Sequence, residues 1–326
     1  MVNTPKLETT RRQLARIRHR HLTCFLETAR ARKISAAAEV LNISQPAISK
    51  TLHELEEILG SKLFIRGGRA GLTLTPSGRL FLRYSGASVA ALREGIDSVA
   101  RTSTRADPKI TVGVLPTVAT SVMPDAIQRF KETHDTALRV ITRPNNALLD
   151  QLRLGELDLV VGRLGRPEEM AGFSFTHLYS EQLVLVVRPD HPLADEAEVD
   201  VHALEKITAL VPTKSGLLRP VIDRFWVAHG IVTLPDYIEA RSPDFCRQYA
   251  LSSDAVWLIS HGVVAHDLEN GTLRALHVDT SDTQGSVGFT IRVDTDPSPS
   301  LRQLMDTIAS VAIERAPVEH QGQHVA

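Results

Sequence analysis

The stretch Ile34–Arg66, ISAAAEVLNISQPAISKTLHELEEILGSKLFIR, holds two helical patterns separated by an abrupt polar break. The second pattern predicts a helix with Ser44 as N-cap and Pro46 in the first turn, where a missing amide costs nothing. At about 100° per residue, Ala47, Ile48, Leu52, Leu55, Ile58 and Leu59 share one side. Gly60 then ends the helix as a left-handed residue just past the last apolar position. The opposite face carries Pro46, Ser49, Lys50, His53 and Glu57, with Gln45 at the N-terminal tip. A purely solvated face would carry more Glu and Lys, whereas Gln, Ser and Lys beside a helix N-terminus suit base edges and phosphates.

The neighbouring residues extend this reading. Upstream, Leu22, Phe25, Leu26 and Ala29 recur at i, i+3, i+4 and i+7 and predict a helix from about Arg18 to Arg32. Ser35 is placed to cap a short helix ending at Leu41, whose alanines Ala36, Ala37 and Ala38 allow close helix approach. Asn42, Ile43 and Ser44 read as a tight turn with one buried apolar side chain. Helix, short helix, turn and longer helix is the helix-turn-helix order, in which the last helix enters the major groove. Downstream, KLFIRGGRAGLTLTPSG (62–78) reads as a β-hairpin, a wing from which Arg66 and Arg69 point towards phosphates. Charge agrees: from Arg11 to Arg83 there are 14 Lys and Arg against 5 Asp and Glu, while the rest of the chain carries 23 against 33. Such asymmetry is expected where one domain meets nucleic acid and another does not, the alternative being a basic but idle helical bundle.

The run FLETARARKISAAAEVLNISQPAISKTLHELEEILGSKLFIRGGRAGLTLTPSG (25–78) resembles the winged helix-turn-helix of LysR-type transcriptional regulators. The shared features are the alanine-rich short helix, the N-x-S-Q-P-A-I-S turn, the L-E-x-x-L-G-x-x-L-F-x-R run and the closing T-P-S-G. The resemblance implies that Gln45, Pro46, Ser49 and Lys50 face bases, with His53 on the same face, while Ser35, Ser44, Arg66 and Arg69 steady the DNA backbone. This sequence departs from the family in its start, where roughly the first seventeen residues precede the usual opening helix.

At 326 residues, 43% hydrophobic and 23% charged, the chain suits two or three globular units. No stretch reaches the roughly 18 apolar residues of a membrane span and the N-terminus lacks a secretory core, so a cytoplasmic protein is expected. The winged domain is expected over 18–75 and a linker helix over 76–104, capped by Thr75 and patterned through Leu80, Tyr84, Ala87 and Ala91. So long a helix with so narrow a seam predicts pairing with a second copy, the alternative being a helix packed on its own domain. RTSTRADP (101–108) reads as a linker.

Beyond Lys109, ITVGVL, LRVIT, LDLVVG, QLVLVVR, ITALVP, AVWLIS and GFTIRV are short β-branched runs between helical segments, the pattern of α/β units with mainly parallel sheets. The resemblance implies an effector-binding domain over 109–316 of two periplasmic-binding-protein-like lobes. The first lobe is expected over 109–164 and 280–316 and the second over 165–279, with crossings near Arg163–Pro167 and Asn270–Gln284. The tail 317–326 is expected to be disordered.

Ligands in open α/β sheets sit at strand carboxyl ends, beside helix N-termini. Two junctions meet that description, Thr117 and Thr120 after the strand ending at Leu115, and Thr213, Lys214 and Ser215 after the strand ending at Val211. Asn145 and Asn146, after LRVIT, are expected at the same mouth. Each hydroxyl could equally serve a routine cap or turn. The expected ligand is a small polycarboxylate, because charge-assisted hydrogen bonds are the stronger kind.

Enzyme readings have little support: no GxSxG elbow, P-loop or HExxH occurs, and no metal or cofactor is expected. Cys24 and Cys246 fall in different units, which argues against an internal disulfide. The competing function class is a small-molecule-binding or enzymatic α/β protein whose N-terminal bundle serves only assembly. VGRLGRPEEMAGFSFTHLYSEQLVLVVRPDHPLA (161–194), with RPVIDRF and SDAVWLISHGVV, resembles the LysR-type branch that activates protocatechuate-degradation operons. That resemblance implies an acidic ring-cleavage product as effector. The family resemblance implies a double-stranded operator, a homodimer or homotetramer, and RNA polymerase as partner.

Overall fold

The computed structural model describes residues 12–66, 71–101, 109–293 and 296–315. Of the expected linker 101–108, Arg101 is the last residue of the helix Pro76–Arg101 and 102–108 lie outside the described residues, as do Arg69 in the hairpin turn and the tail 317–326. The chain divides into two compact units, one built on the residues before Ala106 and one holding both five-stranded sheets.

In the N-terminal unit, α1 (His19–Ala31), α2 (Ile34–Leu41) and α3 (Gln45–Leu59) are followed by the antiparallel pair β1 (Phe64–Arg66) and β2 (Leu72–Leu74) and by α4 (Pro76–Arg101). Phe25, Ala37, Ile48, Leu55 and Leu63 are at most 1% exposed and form the centre of this core. The Phe25 ring meets Phe81 of α4 edge-on, with centroids 5.1 Å apart. The ends of α3 follow from local chemistry: the Ala47 amide donates to Ser44 Oγ at 3.3 Å, and Gly60 at φ 67° closes the helix. Two expectations fail here. Ser35 is not a cap, because α2 begins two residues earlier, with Lys33 at the N-cap position and the Ala37 amide bonded to the Lys33 carbonyl. Ile43 is 41% exposed rather than buried, since Asn42 turns the chain outward from a left-handed conformation at φ 55°.

The Gly78 amide donates to Thr75 Oγ1 at 2.9 Å, so Thr75 caps α4 as expected. A Cβ on Gly78 would stand 2.1 Å from the Leu63 carbonyl oxygen, so only glycine lets this helix start against the winged domain. Phe81, Leu82 and Val89 pack on the helix-turn-helix core, while Leu80, Tyr84, Ala91, Leu92, Ile96 and Val99 are exposed. The helix therefore packs on its own domain with one face and leaves a second apolar seam open.

The C-terminal unit begins with β3 (Ile110–Val114), α5 (Pro116–Ala119), α6 (Met123–Thr133), β4 (Leu138–Thr142), α7 (Asn145–Arg153), β5 (Leu159–Arg163) and β6 (Phe173–Glu181). The chain then builds a second sheet from β7 (Leu183–Val187), β8 (Ala209–Pro212), α8 (Arg219–Ala228), β9 (Tyr237–Ala240), α9 (Pro243–Ser252), β10 (Val256–Ser260), α10 (His261–Glu269) and β11 (Arg274–Ala275). It returns through β12 (Gly285–Arg292) and ends in α11 (Pro299–Arg315). The strand orders are β4-β3-β5-β12-β6 and β11-β7-β10-β8-β9.

The sheets are mixed, not mainly parallel. β3 runs parallel to β4 and β5, and β8 to β9 and β10, but β12 is antiparallel to β5 and β6, and β7 to β10 and β11. The first crossing also differs from the expected Arg163–Pro167: the chain stays in the first sheet through Glu181 and crosses at Gln182. β12 begins at Gly285, directly after the expected return. Each lobe has its own core, one around Val114, Phe130, Leu148, Leu159 and Ile308, the other around Leu185, Val187, Ile222, Phe225 and Leu258.

Candidate functional site

Two surfaces, one in each unit, carry the candidate chemistry. On α3, Gln45, Pro46, Ser49, Lys50 and His53 are exposed, as is the N-cap Ser44, while Ile48, Leu52, Leu55 and Ile58 are buried on the other side. Ala47 is exposed and Leu59 half-buried, so the buried stripe is narrower than the pattern suggested. His53 Nε2 lies 3.3 Å from Glu57 Oε1 on the next turn. Ser35 is half-buried inside α2, and Arg66 ends β1.

The flank of this face is organised by residues with no recognisable spacing. Arg18 donates its amide to His21 Nδ1 at 3.1 Å, which leaves the His21 Nε2 proton for Glu54 Oε2, 3.3 Å away. The bond from His21, with the nearby Arg20 and Lys50 charges, holds the Glu54 carboxyl below the usual carboxylate range. Gln13, in the extension before α1, donates its side-chain amide to the Ile58 carbonyl at 2.9 Å. It thereby satisfies one of the last carbonyls of α3, which have no partner within the helix. Contacts of this kind join residues that are far apart in sequence, so no local motif announces them.

In the second unit a cleft of about 370 Å³ opens between the lobes. Of the residues expected there, Thr117, Asn145, Asn146, Thr213 and Ser215 line it, whereas Thr120 and Lys214 do not. Thr120 Oγ1 bonds to the Pro116 and Gly262 carbonyls at 3.0 and 2.9 Å. Lys214 is exposed on a turn closed by the Gly216 amide on the Thr213 carbonyl. Thr117 lines the cleft, but its hydroxyl proton goes to the Glu181 carboxylate, with distances of 2.6 and 2.7 Å to the two oxygens. It therefore offers a ligand lone pairs only.

The expected helix N-termini are also redistributed. α5 has only four residues, and its Val118 and Ala119 amides are already bonded to the Leu115 carbonyl. α8 starts at Arg219, after the Thr213–Ser215 segment. The helices that begin at the cleft are instead α7, opened by Asn145, and α9, whose N-cap Ser242 accepts the Phe245 amide at 3.2 Å. Among the described residues the buried Nδ2 of Asn145 has no hydrogen-bond partner.

The main charges at the cleft were missed by sequence reasoning: Arg143, Arg163, Arg166 and Arg241 line it, against Glu169 as carboxylate. Arg163 is 8% exposed and donates to the Glu181 and Thr283 carbonyls at 3.2 and 2.5 Å. Burial lowers its pKa, opposed by the Glu181 charge, yet a guanidinium remains ionised. Glu181 in turn accepts the Gly262 amide at 3.3 Å, which ties the end of β6 to the start of α10. The two lobes are thus pinned together by buried polar bonds at the floor of the cleft. Arg241 donates to Ser215 Oγ at 3.1 Å and orients that hydroxyl. Cys246 also lines the cleft, and burial pushes its thiol up to about 11, which keeps it protonated.

Comparison with known proteins gives these surfaces a common context. Residues 19–79 match the bacterial regulatory helix-turn-helix protein, lysR family, and residues 103–312 match the LysR substrate binding domain. The chain is 46% identical to the HTH-type transcriptional regulator PcaQ of Agrobacterium fabrum over 92% of its own length and 96% of that protein. It is 35% identical to the uncharacterized HTH-type transcriptional regulator YdcI of Escherichia coli, over 90% of this chain and 95% of that one. In fold it is similar to a full-length OxyR variant from Pseudomonas aeruginosa, with a TM-score of 0.59 at 20% identity over 94% of this chain and 99% of the other. With both matched regions in place and the relatives covered almost end to end, the chain belongs to the LysR family of ligand-responsive, DNA-binding transcriptional regulators.

Proposed function

We propose that this regulator acts in the cytoplasm as a homodimer or homotetramer on a dyad-symmetric operator, reads bases with α3, and answers to a small polycarboxylate from aromatic-acid breakdown. The observation that carries the ligand class is the cleft of about 370 Å³ with four arginines and a single lining carboxylate. Guanidinium groups are suited to bidentate carboxylate recognition. The α7 and α9 N-termini add partial positive charge at the same mouth. Gln45, Ser49 and Lys50 stand exposed at the start of α3, in the position where a recognition helix meets base edges. The pathway, protocatechuate catabolism, rests on the branch resemblance of 161–194 together with the 46% identity to PcaQ. Transcriptional output then requires contact with RNA polymerase.

Calorimetric titration of the full chain with a carboxymuconate-type triacid, protocatechuate and neutral ring analogues tests the reading. The triacid is expected to bind and the neutral analogues to fail. Preference for a neutral ligand would remove the polycarboxylate assignment.

A further inference from the structure

The N-terminal extension is the part of the chain that the family resemblance leaves unexplained. The segment RRQLARIRHR (11–20), which leads from the extension into the start of α1, contains five arginines and no carboxylate. Residues 12–16 form a helical turn, and Arg12, Arg16 and Arg18 are exposed. Among the described residues no ion pair neutralises these three, whereas Arg20 is paired with Glu54 at 3.0 Å. Arg12 and Arg16 are four residues apart on a helical turn, a spacing at which like charges repel.

The turn is nevertheless fixed in place. Gln13 donates to the Ile58 carbonyl at the C-terminal end of α3, and Ile17 packs against the helix-turn-helix core. At the next point along, Arg20 and His21 both meet Glu54, which lies one helical turn after Lys50 on α3. One flank of α3 is therefore covered first by the start of α1 at Glu54 and then by the extension at the helix end. That flank adjoins the face bearing Lys50 and continues away from Gln45.

From this placement we infer that Arg12, Arg16 and Arg18 form a basic arm that contacts the DNA backbone outside the bases met by α3. The occupant is duplex DNA, argued from charge and from continuity with the reading face, so the inference rests on α3 being the recognition helix. A solvated idle turn would have no reason to hold unpaired arginines beside a surface made for a polyanion. Phosphate contacts carry no sequence information, so the arm adds affinity and salt dependence without changing base preference.

The test uses the full chain and a duplex enriched from random DNA by selection with the wild-type protein, beside a scrambled duplex of equal length. Anisotropy titrations over a range of salt give the slope of log K against log salt. In R12A/R16A the slope on both duplexes should fall by about 2 for each protomer bound, roughly 0.9 for each lost phosphate contact, with the preference between duplexes unchanged. R12K/R16K should restore the slope. An unchanged slope in R12A/R16A, or a loss that the lysine variant fails to restore, overturns the arm. Gln45→Ala separates the two readings: it should lose preference between duplexes while keeping the slope. If it keeps its preference, the recognition-helix assignment fails, whatever the arm variants do.

Discussion

Glu56 shows how one side chain joins α3 to the hairpin that follows it. Its carboxylate accepts Lys62 Nζ at 2.6 Å and the Leu63 amide at 2.8 Å, with the Phe64 amide at 3.5 Å, so the end of α3 is bonded to the entry of β1. Burial alone would raise this carboxyl, but the Lys62 bond and the two amides outweigh it and hold its pKa below the ordinary range. A depressed folded-state value means that the contribution to stability is complete above the unfolded value, about 4.3, and is lost as pH falls through the folded value. Glu56→Gln keeps the shape but removes the charge, and should cost about 1–2 kcal/mol at pH 7. Thermal denaturation should show the variant melting earlier at pH 7, and the gap should close at an acidic pH below the folded value, where the wild-type carboxyl is itself protonated. A gap of equal size at both pH values would mean that the charge is not what joins helix to hairpin.

Among the elements, α4 combines two roles that the sequence pattern left as alternatives. Phe81, Leu82 and Val89 bind it to its own domain, while Leu80 is 53% and Tyr84 57% exposed, with Ala91 on the same side. If the open seam pairs with a second copy, Tyr84→Glu with Ala91→Glu would bury unpaired charge there. Sedimentation should then shift towards monomer, and operator affinity should fall through lost bivalency. Unchanged sedimentation would place the dimer contact elsewhere. Other elements show what was legible and what was not. The ends of α3 could be read because Ser44 and Gly60 act within one turn of themselves. Ser35 misled because a good capping residue near a helix start says nothing about whether the preceding carbonyl begins the helix first. The strand β6 was invisible because FSFTHLYSE is an edge strand with several exposed polar residues, and its pairing with β12 shifts register at Val287/Gly288. The cleft hydroxyls Thr213 and Ser215 were legible from a strand ending in a polar turn. The arginines were not, because Arg143 and Arg241 come from different lobes and meet only in three dimensions.

Over the whole molecule, charge is divided by task. The basic residues from Arg11 to Arg83 belong to the DNA-binding unit, and the remainder is acidic, with 23 Lys and Arg against 33 Asp and Glu. Against that acidic average, four arginines around one cleft are a local reversal of sign. Such a reversal costs self-repulsion unless an anion relieves it, and this is the physical reason to expect a polycarboxylate there. The arginines differ in what they can reveal. Arg163 is buried among the bonds that pin the lobes, so its removal would disturb the fold as well as the ligand. Arg166 and Arg241 are exposed at the cleft wall and report on the ligand more directly. A bound triacid should raise the melting temperature of the full chain by an amount that grows with its concentration, as linkage requires. Arg166→Ala with Arg241→Ala should abolish most of that rise, because two charge-assisted contacts are lost and Ser215 loses the donor that orients it. Effector-free DNA binding should be retained, since neither residue belongs to the basic segment. Lys214→Ala is the matched control: it removes a neighbouring cation that does not line the cleft, and should leave the rise intact. A rise undiminished in the double arginine variant, or one lost in Lys214→Ala, would show that the anion sits elsewhere than on these arginines.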